Sequence, residues 1–230
     1  MTIKLAVFDV DGTLARTEES IPPHVAEKLR SLEAWVHRVV LISGRTASYL
    51  AGLARGMGIK KPLVVGENGG VIFDPTNLWE RRTDVIRAEI ITAMKETLLR
   101  EFGEIWFQPN QTMLTAAPKD LARVEELYQI VLSLKPVTEY NFKLNKYYDS
   151  VEIMPSKNSK GRALAVIKDT FQIEREEVIV FGNTIVDLSM NAETDEFLII
   201  GDYLSCDGIQ NYSCIEDAFK YLDDLVHPVH

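Results

Sequence analysis

The fold of this chain is decided by the stretch Leu5-Ala6-Val7-Phe8-Asp9-Val10-Asp11-Gly12-Thr13-Leu14. Its first half is an apolar run, which predicts a buried strand in a parallel sheet that helices cover on both faces. Asp9 and Asp11 stand two positions apart, so both carboxylates point the same way along an extended chain. Because ligands of such sheets bind at the carboxyl ends of the strands, we expect Asp9 and Asp11 to share the mouth of a crevice. Gly12 allows the backbone to turn sharply there.

The composition indicates a packed globular chain. The chain has 230 residues, of which 46% are hydrophobic and 26% charged, and its formal net charge is −9. This length allows one large domain or a core with a small insert, and the composition argues against general disorder. The negative charge disfavours binding to a nucleic-acid backbone, which requires clustered Lys and Arg.

The cysteines and the apolar runs exclude further classes of protein. Cys206 and Cys214 form no C-x-x-C pair and have no histidine nearby, so a zinc site is not expected. No apolar run reaches membrane-spanning length, and the first strand begins without a signal-peptide pattern. We therefore expect a cytoplasmic protein with no membrane partner.

Apolar runs and helical patterns alternate over residues 5–70. After the first strand, strands are predicted at 39–42 and 62–65, and helices at 25–32 and 46–57. Such alternation predicts an α/β fold with a parallel sheet and right-handed crossovers. The second strand is followed by Ser43-Gly44-Arg45, and the third by a turn that contains Asn68.

The pattern changes over residues 81–155, where two helix-strand-strand units follow one another. The predicted helices cover 86–102 and 121–131, and the predicted strands cover 105–107, 112–116, 137–144 and 147–154, with the last pair turning at Asn145-Lys146. Both helices carry an apolar stripe that must pack on a sheet. We therefore predict a small α+β domain at 81–155, inserted into a core domain formed by 1–80 and 156–230.

The α/β pattern resumes after the insert. Lys160 begins a helix, a strand at 178–181 precedes Gly182-Asn183, and Asp187 begins another helix. A strand at 197–200 and a helix at 215–222 complete the core. Since the carboxyl ends of parallel strands lie at one edge of the sheet, the polar residues that follow these strands can converge with Asp9.

Each of these polar residues also has a structural interpretation when it is taken alone. Ser43 or Asp187 can cap a helix, and an isolated lysine such as Lys160 is commonly a solvated surface residue. Arg45 and Asn68 fit the chemistry of turns. Their joint occurrence in one order is what favours a functional site.

That order resembles the haloacid dehalogenase superfamily, which consists largely of phosphatases and phosphomutases. The first motif of that family is similar to D-x-D-G-T-L at residues 9–14, and the second to the Ser43 that ends Leu-Ile-Ser-Gly-Arg. The third is a lysine, matched by Lys160 in a Lys-Gly-x-Ala-Leu context typical of the Cof-type branch, in which the turn at Asn68-Gly69-Gly70 also recurs. The fourth, G-D-x-x-N-D, is matched by Gly-Asn-Thr-Ile-Val-Asp at residues 182–187. The resemblance covers nearly the whole chain.

The place of the insert adds detail to the resemblance. It lies between the second and third motifs, where the family carries a C2-type cap, and its doubled helix-strand-strand plan resembles the small C2B caps. Such caps occur in phosphoglycolate phosphatase-like, sucrose-phosphate phosphatase-like and phosphomannomutase proteins. The resemblance implies a Rossmann-like core with an α+β cap that selects the substrate. On polarity alone, Lys143, Lys146 and Tyr148 are candidates for that role.

The resemblance implies a phosphatase that hydrolyses small phosphomonoesters, such as a sugar phosphate or a phosphoglycolate-like compound, through an aspartyl-phosphate. Asp9 would be the nucleophile, and Asp11 the general acid and base. Ser43 and Lys160 would complete the catalytic set and contact the phosphoryl group. Substrate contacts are further expected from Gly44, Arg45 and Asn68. The expected partner is a small phosphorylated metabolite, and the chain is expected to be a monomer or a homodimer.

The family also implies Mg²⁺ as cofactor, with Mn²⁺ as an alternative. Its ligands would come from Asp9, Asp11, Asn183 and Asp187. Two positions depart from the family pattern: Asn183 replaces a metal-binding aspartate, and Val186 replaces an asparagine. Two alternatives therefore stay open, namely a phosphomutase of the phosphomannomutase type and a weakly catalytic or non-catalytic relative that binds a phosphorylated ligand.

Overall fold

The computed structural model describes residues 2–17 and 19–226. The chain divides into two compact units. We call them the core unit, Met1–Arg81 with Ser159–His230, and the inserted unit, Arg82–Asn158.

The strands and helices are listed here in chain order. The strands are β1 (Leu5–Asp9), β2 (Arg38–Ile42), β3 (Pro62–Gly66), β4 (Val71–Asp74), β5 (Trp79–Arg82), β6 (Ile105–Phe107), β7 (Leu114–Pro118), β8 (Phe142–Lys146), β9 (Val151–Pro155), β10 (Val178–Gly182), β11 (Glu196–Ile200) and β12 (Gln210–Tyr212). The α-helices are α1 (Pro23–Leu32), α2 (Ala47–Met57), α3 (Ala88–Glu101), α4 (Val124–Ser133), α5 (Lys135–Glu139), α6 (Lys160–Phe171) and α7 (Ile215–Val226).

The core unit is built on a mixed sheet in which parallel pairs dominate. Among the described residues this sheet has eight strands in the order β12-β11-β10-β1-β2-β3-β4-β5. The pairs from β12 through β3 are parallel, and β4 runs antiparallel to β3. The predicted α/β class is confirmed. The parallel sheet that the alternation predicted is present from β12 through β3. The strand β4 runs antiparallel to β3, because the short turn after β3 leaves no room for a crossover helix and so reverses the chain.

The central strand β1 is buried along its whole length and separates two apolar layers. On one face Ala6 and Phe8 pack with residues of α1, α2 and α7, and the Phe8 ring stacks on Phe181 with centroids 4.5 Å apart. On the other face Leu5 and Val7 pack with residues of α6. Helices on both faces explain why the strand is apolar at every position before Asp9.

The inserted unit is fully described and forms a four-stranded antiparallel sheet in the order β6-β7-β9-β8. Two helices bury their apolar stripes against the sheet. The helix α3 contributes Met94 and Leu98, and α4 contributes Leu127 and Val131. This is the packing that the two stripes predicted.

Two predictions for the inserted unit are wrong. The strand predicted at 137–144 begins only at Phe142, because residues 135–139 form α5, whose first turn holds Pro136. The turn predicted at Asn145-Lys146 lies instead at residues 147–150, where the Tyr147 amide donates to the Ser150 carbonyl at 2.8 Å. Asn145 fits inside β8 because its side chain bonds to Glu152 across the strand pair.

The sequence patterns did not predict the short strands β4, β5 and β12. The part of the chain that the structure describes, residues 2–17 and 19–226, contains no helix with both the length and the apolar character needed to cross a membrane.

Candidate active site

Three polar side chains lie at or just past the carboxyl ends of adjacent core strands. Asp9 is the last residue of β1, Ser43 follows β2, and Asn183 follows β10. Because β1 lies between β2 and β10, these side chains come from neighbouring strands of one sheet edge. All three are buried. A buried group of this kind must be satisfied by hydrogen bonds or charges from its neighbours.

Lys160 links two of the buried carboxylates. Its Nζ donates to Asp9 Oδ1 and to Asp187 Oδ1, and each distance is 2.6 Å. The helix α6 that Lys160 begins is capped by Ser159, whose hydroxyl accepts from the Arg162 amide at 3.1 Å. The cap fixes the start of α6 and with it the place of the ammonium group. The structure thus brings together three residues that lie far apart in the sequence.

Burial and neighbouring charges both shift the pKa values of Asp9, Asp187 and Lys160. Burial raises the pKa of Asp9 to about 7, and the negative charge of Asp187 adds to this effect while Lys160 opposes it. Burial also acts to raise the pKa of Asp187, but Lys160 and hydrogen bonds from Thr184 outweigh it and hold that pKa below its usual range. Burial acts to lower the pKa of Lys160, but the two carboxylates outweigh it and raise that pKa. Lys160 therefore stays charged.

Asp187 uses both carboxylate oxygens inside the protein. While Oδ1 accepts from Lys160, Oδ2 accepts from the Asn183 amide at 3.1 Å, the Thr184 amide at 2.9 Å and the Thr184 hydroxyl at 2.8 Å. A Cβ on residue 182 would lie 2.5 Å from Asp187 Cβ, so only glycine allows the backbone at this position to lie so close to Asp187. Asp187 thereby holds both the loop after β10 and the Lys160 ammonium. Sequence reasoning missed Thr184, whose only signal was its place inside the fourth motif.

Thr13 connects Asp9 with Asn183. Its hydroxyl lies 3.1 Å from Asp9 Oδ2 and 3.4 Å from Asn183 Oδ1, and its single hydrogen can be donated to one of them at a time. Gly12 has a positive φ of 88°, and a Cβ there would lie 1.9 Å from Asn183 Nδ2. The Asn183 amide therefore packs directly against the backbone of the loop after β1. Thr13 belongs to the first motif, but the motif alone did not indicate a role for its hydroxyl.

Asp11 is held by Arg45 through two contacts. Arg45 Nε lies 3.2 Å from Asp11 Oδ2, and Arg45 Nη2 lies 3.4 Å from Asp11 Oδ1. The guanidinium group also lies 5.9 Å from the centre of the Tyr49 ring. Unlike Asp9, the Asp11 side chain is about one-third exposed (32%). A carboxylate that is oriented by an arginine and still reaches solvent is suited to exchange protons with a bound molecule.

The remaining predicted contacts belong to the loops around Ser43. The Arg45 amide donates to Ser43 Oγ at 3.2 Å, and the intervening Gly44 is half-buried. Asn68 is buried with a left-handed φ of 51°, and its amide donates to the Ser43 carbonyl at 3.1 Å. Asn68 thus supports the Ser43 loop, and its contact with a substrate stays a prediction.

The residues proposed for substrate selection lie in the inserted unit. Lys143 and Tyr148 are exposed, and Lys146 pairs with Glu125 at 2.5 Å within the same unit. Their role in substrate choice stays a prediction.

The side chains at this sheet edge offer mainly oxygen atoms, which are the ligands that Mg²⁺ prefers. Within the described residues, no cluster of three or more His, Cys, Asp and Glu side chains is arranged to hold a metal ion. Asp9 Oδ2 and Asn183 Oδ1 are nevertheless oxygen donors, and they lie 3.1 Å and 3.4 Å from the same Thr13 hydroxyl. Asp187 differs from them, because Lys160 and the loop amides already occupy its oxygens. The oxygen donors Asp9, Asp11 and Asn183 fit the ligand chemistry of Mg²⁺, and a metal held by them and Asp187 stays a prediction.

Comparisons of the sequence with known proteins agree with the motifs at Asp9, Ser43, Lys160 and Asp187. The family model of haloacid dehalogenase-like hydrolases matches residues 6–147 and 123–195 of this chain. A phosphoglycolate phosphatase of Staphylothermus marinus is 26% identical over 203 residues, which cover 84% of this chain and 82% of that protein. A phosphoglycolate phosphatase of Thermoplasma acidophilum is 26% identical over 216 residues, which cover 88% of this chain and 92% of that protein.

A solved structure shows the same fold. The crystal structure of a haloacid dehalogenase-like hydrolase from Bacteroides thetaiotaomicron superposes with a TM-score of 0.81 at 17% identity. The match covers 96% of this chain and 100% of that chain. At this identity the likeness concerns the fold alone.

Proposed function

The chain belongs to the haloacid dehalogenase-like hydrolase family, and from this membership we propose that it is a phosphatase that hydrolyses small phosphomonoesters with Mg²⁺. Membership confirms the resemblance drawn from the four motifs, and the relatives named as phosphatases support a phosphatase activity. The single observation that carries the proposal is the contact of Lys160 with Asp9, at 2.6 Å, at the carboxyl edge of the core sheet.

The first half of the proposed reaction uses Asp9 and Asp11. A carboxylate oxygen of Asp9 attacks phosphorus and forms a new O–P bond, while the bond from phosphorus to the leaving oxygen breaks. Asp11 gives its proton to that oxygen, so that an alcohol leaves. Lys160 holds Asp9 in place and offsets the negative charge that gathers around the phosphoryl group. The product at this point is an aspartyl-phosphate on Asp9.

The second half releases phosphate. Water attacks the phosphorus of the aspartyl-phosphate, Asp11 takes the proton from that water, and the bond to Asp9 breaks. Both aspartates return to their starting states, and inorganic phosphate leaves. The Ser43 hydroxyl is proposed to donate to a phosphoryl oxygen throughout. When bound, Mg²⁺ neutralises negative charge on the transferring group.

The substrate class is proposed from the relatives. Two relatives that cover 84% and 88% of this chain are named phosphoglycolate phosphatases, which favours a small organic-acid phosphate over a sugar phosphate. The proposed partner is therefore a small phosphorylated metabolite. A cytoplasmic location and a monomeric or homodimeric state stay predictions of the sequence.

The test is a phosphate-release assay over methyl phosphate, 2-phosphoglycolate, hexose phosphates and p-nitrophenyl phosphate, each with and without Mg²⁺. We expect release that depends on the metal and favours the organic-acid phosphate. Conversion of hexose 1-phosphate to hexose 6-phosphate without net release would favour a mutase instead. If the protein binds these esters but releases phosphate from none of them at any metal concentration, the phosphatase proposal is wrong and a phospho-ligand-binding role replaces it.

A further inference from the structure

The turn between β3 and β4, at residues 67–70, has a backbone conformation that most side chains disfavour. Glu67 and Asn68 have left-handed φ values of 57° and 51°, and Gly69 follows with a φ of 99°. All of these residues are buried. Left-handed residues other than glycine are unfavourable, and two in succession persist only where the surrounding structure holds them. We call this segment the 67–70 turn and ask what its contacts achieve.

On one side, the 67–70 turn is bonded to the loop that follows β2. The Asn68 amide donates to the Ser43 carbonyl at 3.1 Å, and the Glu67 amide donates to the Arg45 carbonyl at 2.8 Å. The Ser43 amide donates in turn to the Val65 carbonyl of β3 at 3.0 Å. Two successive amides of the turn therefore bind carbonyls at both ends of the segment from Ser43 to Arg45, and they fix the loop that carries the Ser43 hydroxyl.

On another side, the start of α6 packs directly on Gly69. A Cβ on residue 69 would lie 2.1 Å from the Ser159 carbonyl oxygen and 3.2 Å from the Lys160 amide nitrogen. Ser159 is the residue that caps α6, so a side chain at residue 69 would displace the first turn of that helix. Such a shift would draw the Lys160 ammonium group away from Asp9, with which its distance is 2.6 Å.

The start of α6 is also held by the segment that carries Asp187. The Gly161 amide donates to Ser189 Oγ at 3.1 Å, and a Cβ on residue 161 would lie 1.9 Å from the Ser189 carbonyl oxygen. The backbone around Lys160 therefore lies between the 67–70 turn and Ser189, in close contact with both. This arrangement leaves α6 little room to move relative to the Ser43 loop.

We propose that the 67–70 turn is a positioning element for phosphoryl transfer, with Glu67 and Gly69 as its positioning residues. The turn sets the place of Lys160 relative to Ser43, and it acts through these two groups by its backbone. The inference rests on the proposed phosphatase function, and it adds residues that the reaction needs although they act through others. The unfavourable backbone is retained because it lets one short turn contact both the Ser43 loop and the start of α6.

The first test compares two glycines that both have a left-handed φ. Gly69→Ala adds a methyl group against α6. Gly58→Ala is the matched control, because Gly58 has a φ of 79° and its added Cβ would lie 3.0 Å from Cδ of the flexible Arg30 side chain. Both variants should melt at a lower temperature than wild type.

Only Gly69→Ala should change catalysis, measured with p-nitrophenyl phosphate and 2-phosphoglycolate well below the melting transition. We expect its kcat to fall about 100-fold, the loss typical of a reacting group that is misplaced by about 1 Å. KM should change less than about threefold, because the contact that is lost strengthens in the transition state. Gly58→Ala should leave kcat and KM unchanged.

A second pair of variants tests the backbone at Glu67 and decides alone if Gly69→Ala gives no folded protein. Glu67→Gly and Glu67→Val both remove the carboxylate and any contact it makes. Glycine adopts a φ of 57° readily, whereas a β-branched side chain does not. We expect kcat of Glu67→Val to lie at least about tenfold below that of Glu67→Gly, because only valine shifts the turn. Equal kcat values in the two folded variants would overturn the inference.

Chemical labelling reports the place of Lys160 without any turnover. The Lys160 side chain is 5% exposed, so acetic anhydride should label it slowly, as read by mass spectrometry. Lys168, which lies on the same helix and pairs with Glu193 at 3.0 Å, is the internal reference. We expect labelling of Lys160, but not of Lys168, to rise in Gly69→Ala and Glu67→Val and to stay at the wild-type level in Gly58→Ala.

The combined outcomes separate this inference from the catalytic proposal. If wild type releases phosphate from no ester but labelling of Lys160 rises as expected, the phosphatase proposal fails and the turn still positions Lys160. If wild type is active, and Gly69→Ala and Glu67→Val melt at lower temperature but keep kcat, the turn is only structural and the inference is wrong. A fall in kcat without a rise in the labelling of Lys160 also contradicts it, because the loss would then not arise at Lys160.

Discussion

Lys160 and Asp187 form an ion pair with almost no access to water. The distance from Nζ to Oδ1 is 2.6 Å, and the exposed fractions of the two side chains are 5% and 0%. A buried ion pair gains little over an apolar pair, but removal of one partner leaves an uncompensated charge in the interior. We therefore interpret the role of Asp187 as positioning Lys160 beside Asp9, and not as adding stability to the fold.

The first prediction is that Asp187→Asn destabilises the protein by about 3 kcal/mol, the cost typical of breaking a buried ion pair. The variant leaves Lys160 with Asp9 alone and weakens the loop after β10. Urea denaturation of the metal-free protein measures the change. Lys220→Met is the control, because Lys220 pairs with Asp217 on the surface with 78% of its side chain exposed. That variant should stay within about 0.5 kcal/mol of wild type.

A double-mutant cycle decides whether the two residues act together. Asp187→Asn combined with Lys160→Met should cost less than the sum of the single changes by at least about 1 kcal/mol, since residues in one buried network are not additive. Simple addition of the two costs would contradict the assignment of Asp187 as the residue that positions Lys160.

The second prediction concerns the proposed nucleophile. Asp9→Asn should abolish phosphate release and leave a cooperative thermal transition, because the change is nearly isosteric and removes the attacking carboxylate. Asp74→Asn is the matched control, since Asp74 is also a buried core aspartate and pairs with Arg38 at 3.2 Å. It should lower the melting temperature with kcat unchanged. An Asp9→Asn protein with near-normal turnover would rule out the mechanism.

The third prediction concerns the metal. Asn183 offers an oxygen but no charge, and Asn183→Asp should increase the attraction for a divalent cation. The Mg²⁺ concentration that gives half-maximal activity should therefore fall several-fold, and the advantage expected of Mn²⁺ over Mg²⁺ in the wild-type protein should shrink. A metal titration of both proteins measures this. Superimposable curves would show that Asn183 is neutral toward the metal.

The fourth prediction concerns the glycines of α2. Gly52→Ala should stabilise the protein by about 0.4–1 kcal/mol, because alanine restricts the unfolded chain and the added methyl group meets no atom within 4 Å. Gly161→Ala is the opposite case in another helix, where the Cβ would lie 1.9 Å from the Ser189 carbonyl oxygen. It should destabilise by about 1–3 kcal/mol, as overpacking does. Thermal melts of the two variants should therefore shift in opposite directions.

The elements that the sequence predicted well are those with a single strong pattern. The strand β1 is apolar up to Asp9, and α2 begins after Thr46, whose hydroxyl accepts from the Tyr49 amide. The elements that it missed depend on partners far along the chain. The strand β12, for example, has three residues and is defined by its pairing with β11. Local propensity cannot reveal such a strand, because cross-strand contacts stabilise it.

In the candidate active site, too, some contacts followed from the sequence motifs and others did not. The order of the motifs predicted that Asp9 and Lys160 meet, and they do. It did not predict that both carboxylate oxygens of Asp187 accept hydrogen bonds from Lys160 and from the backbone of its own loop. These contacts depend on the path of the backbone over residues 182–187. Nor did it predict the pairing of Arg45 with Asp11, because an arginine three residues past the end of β2 can point toward either loop.

The position of β1 in the middle of its sheet has a consequence for synthesis and folding. Leu5 pairs with Arg38 on one side and with Val178 on the other, so one edge of the apolar first strand stays unpaired until β10 has been made. An open, apolar strand edge is a template for pairing with other chains. We therefore expect nascent or truncated chains that end before β10 to aggregate. The pairing of β1 with β10 also joins residues that are far apart in the sequence, and contacts of this kind slow folding, so we expect the core unit to fold slowly.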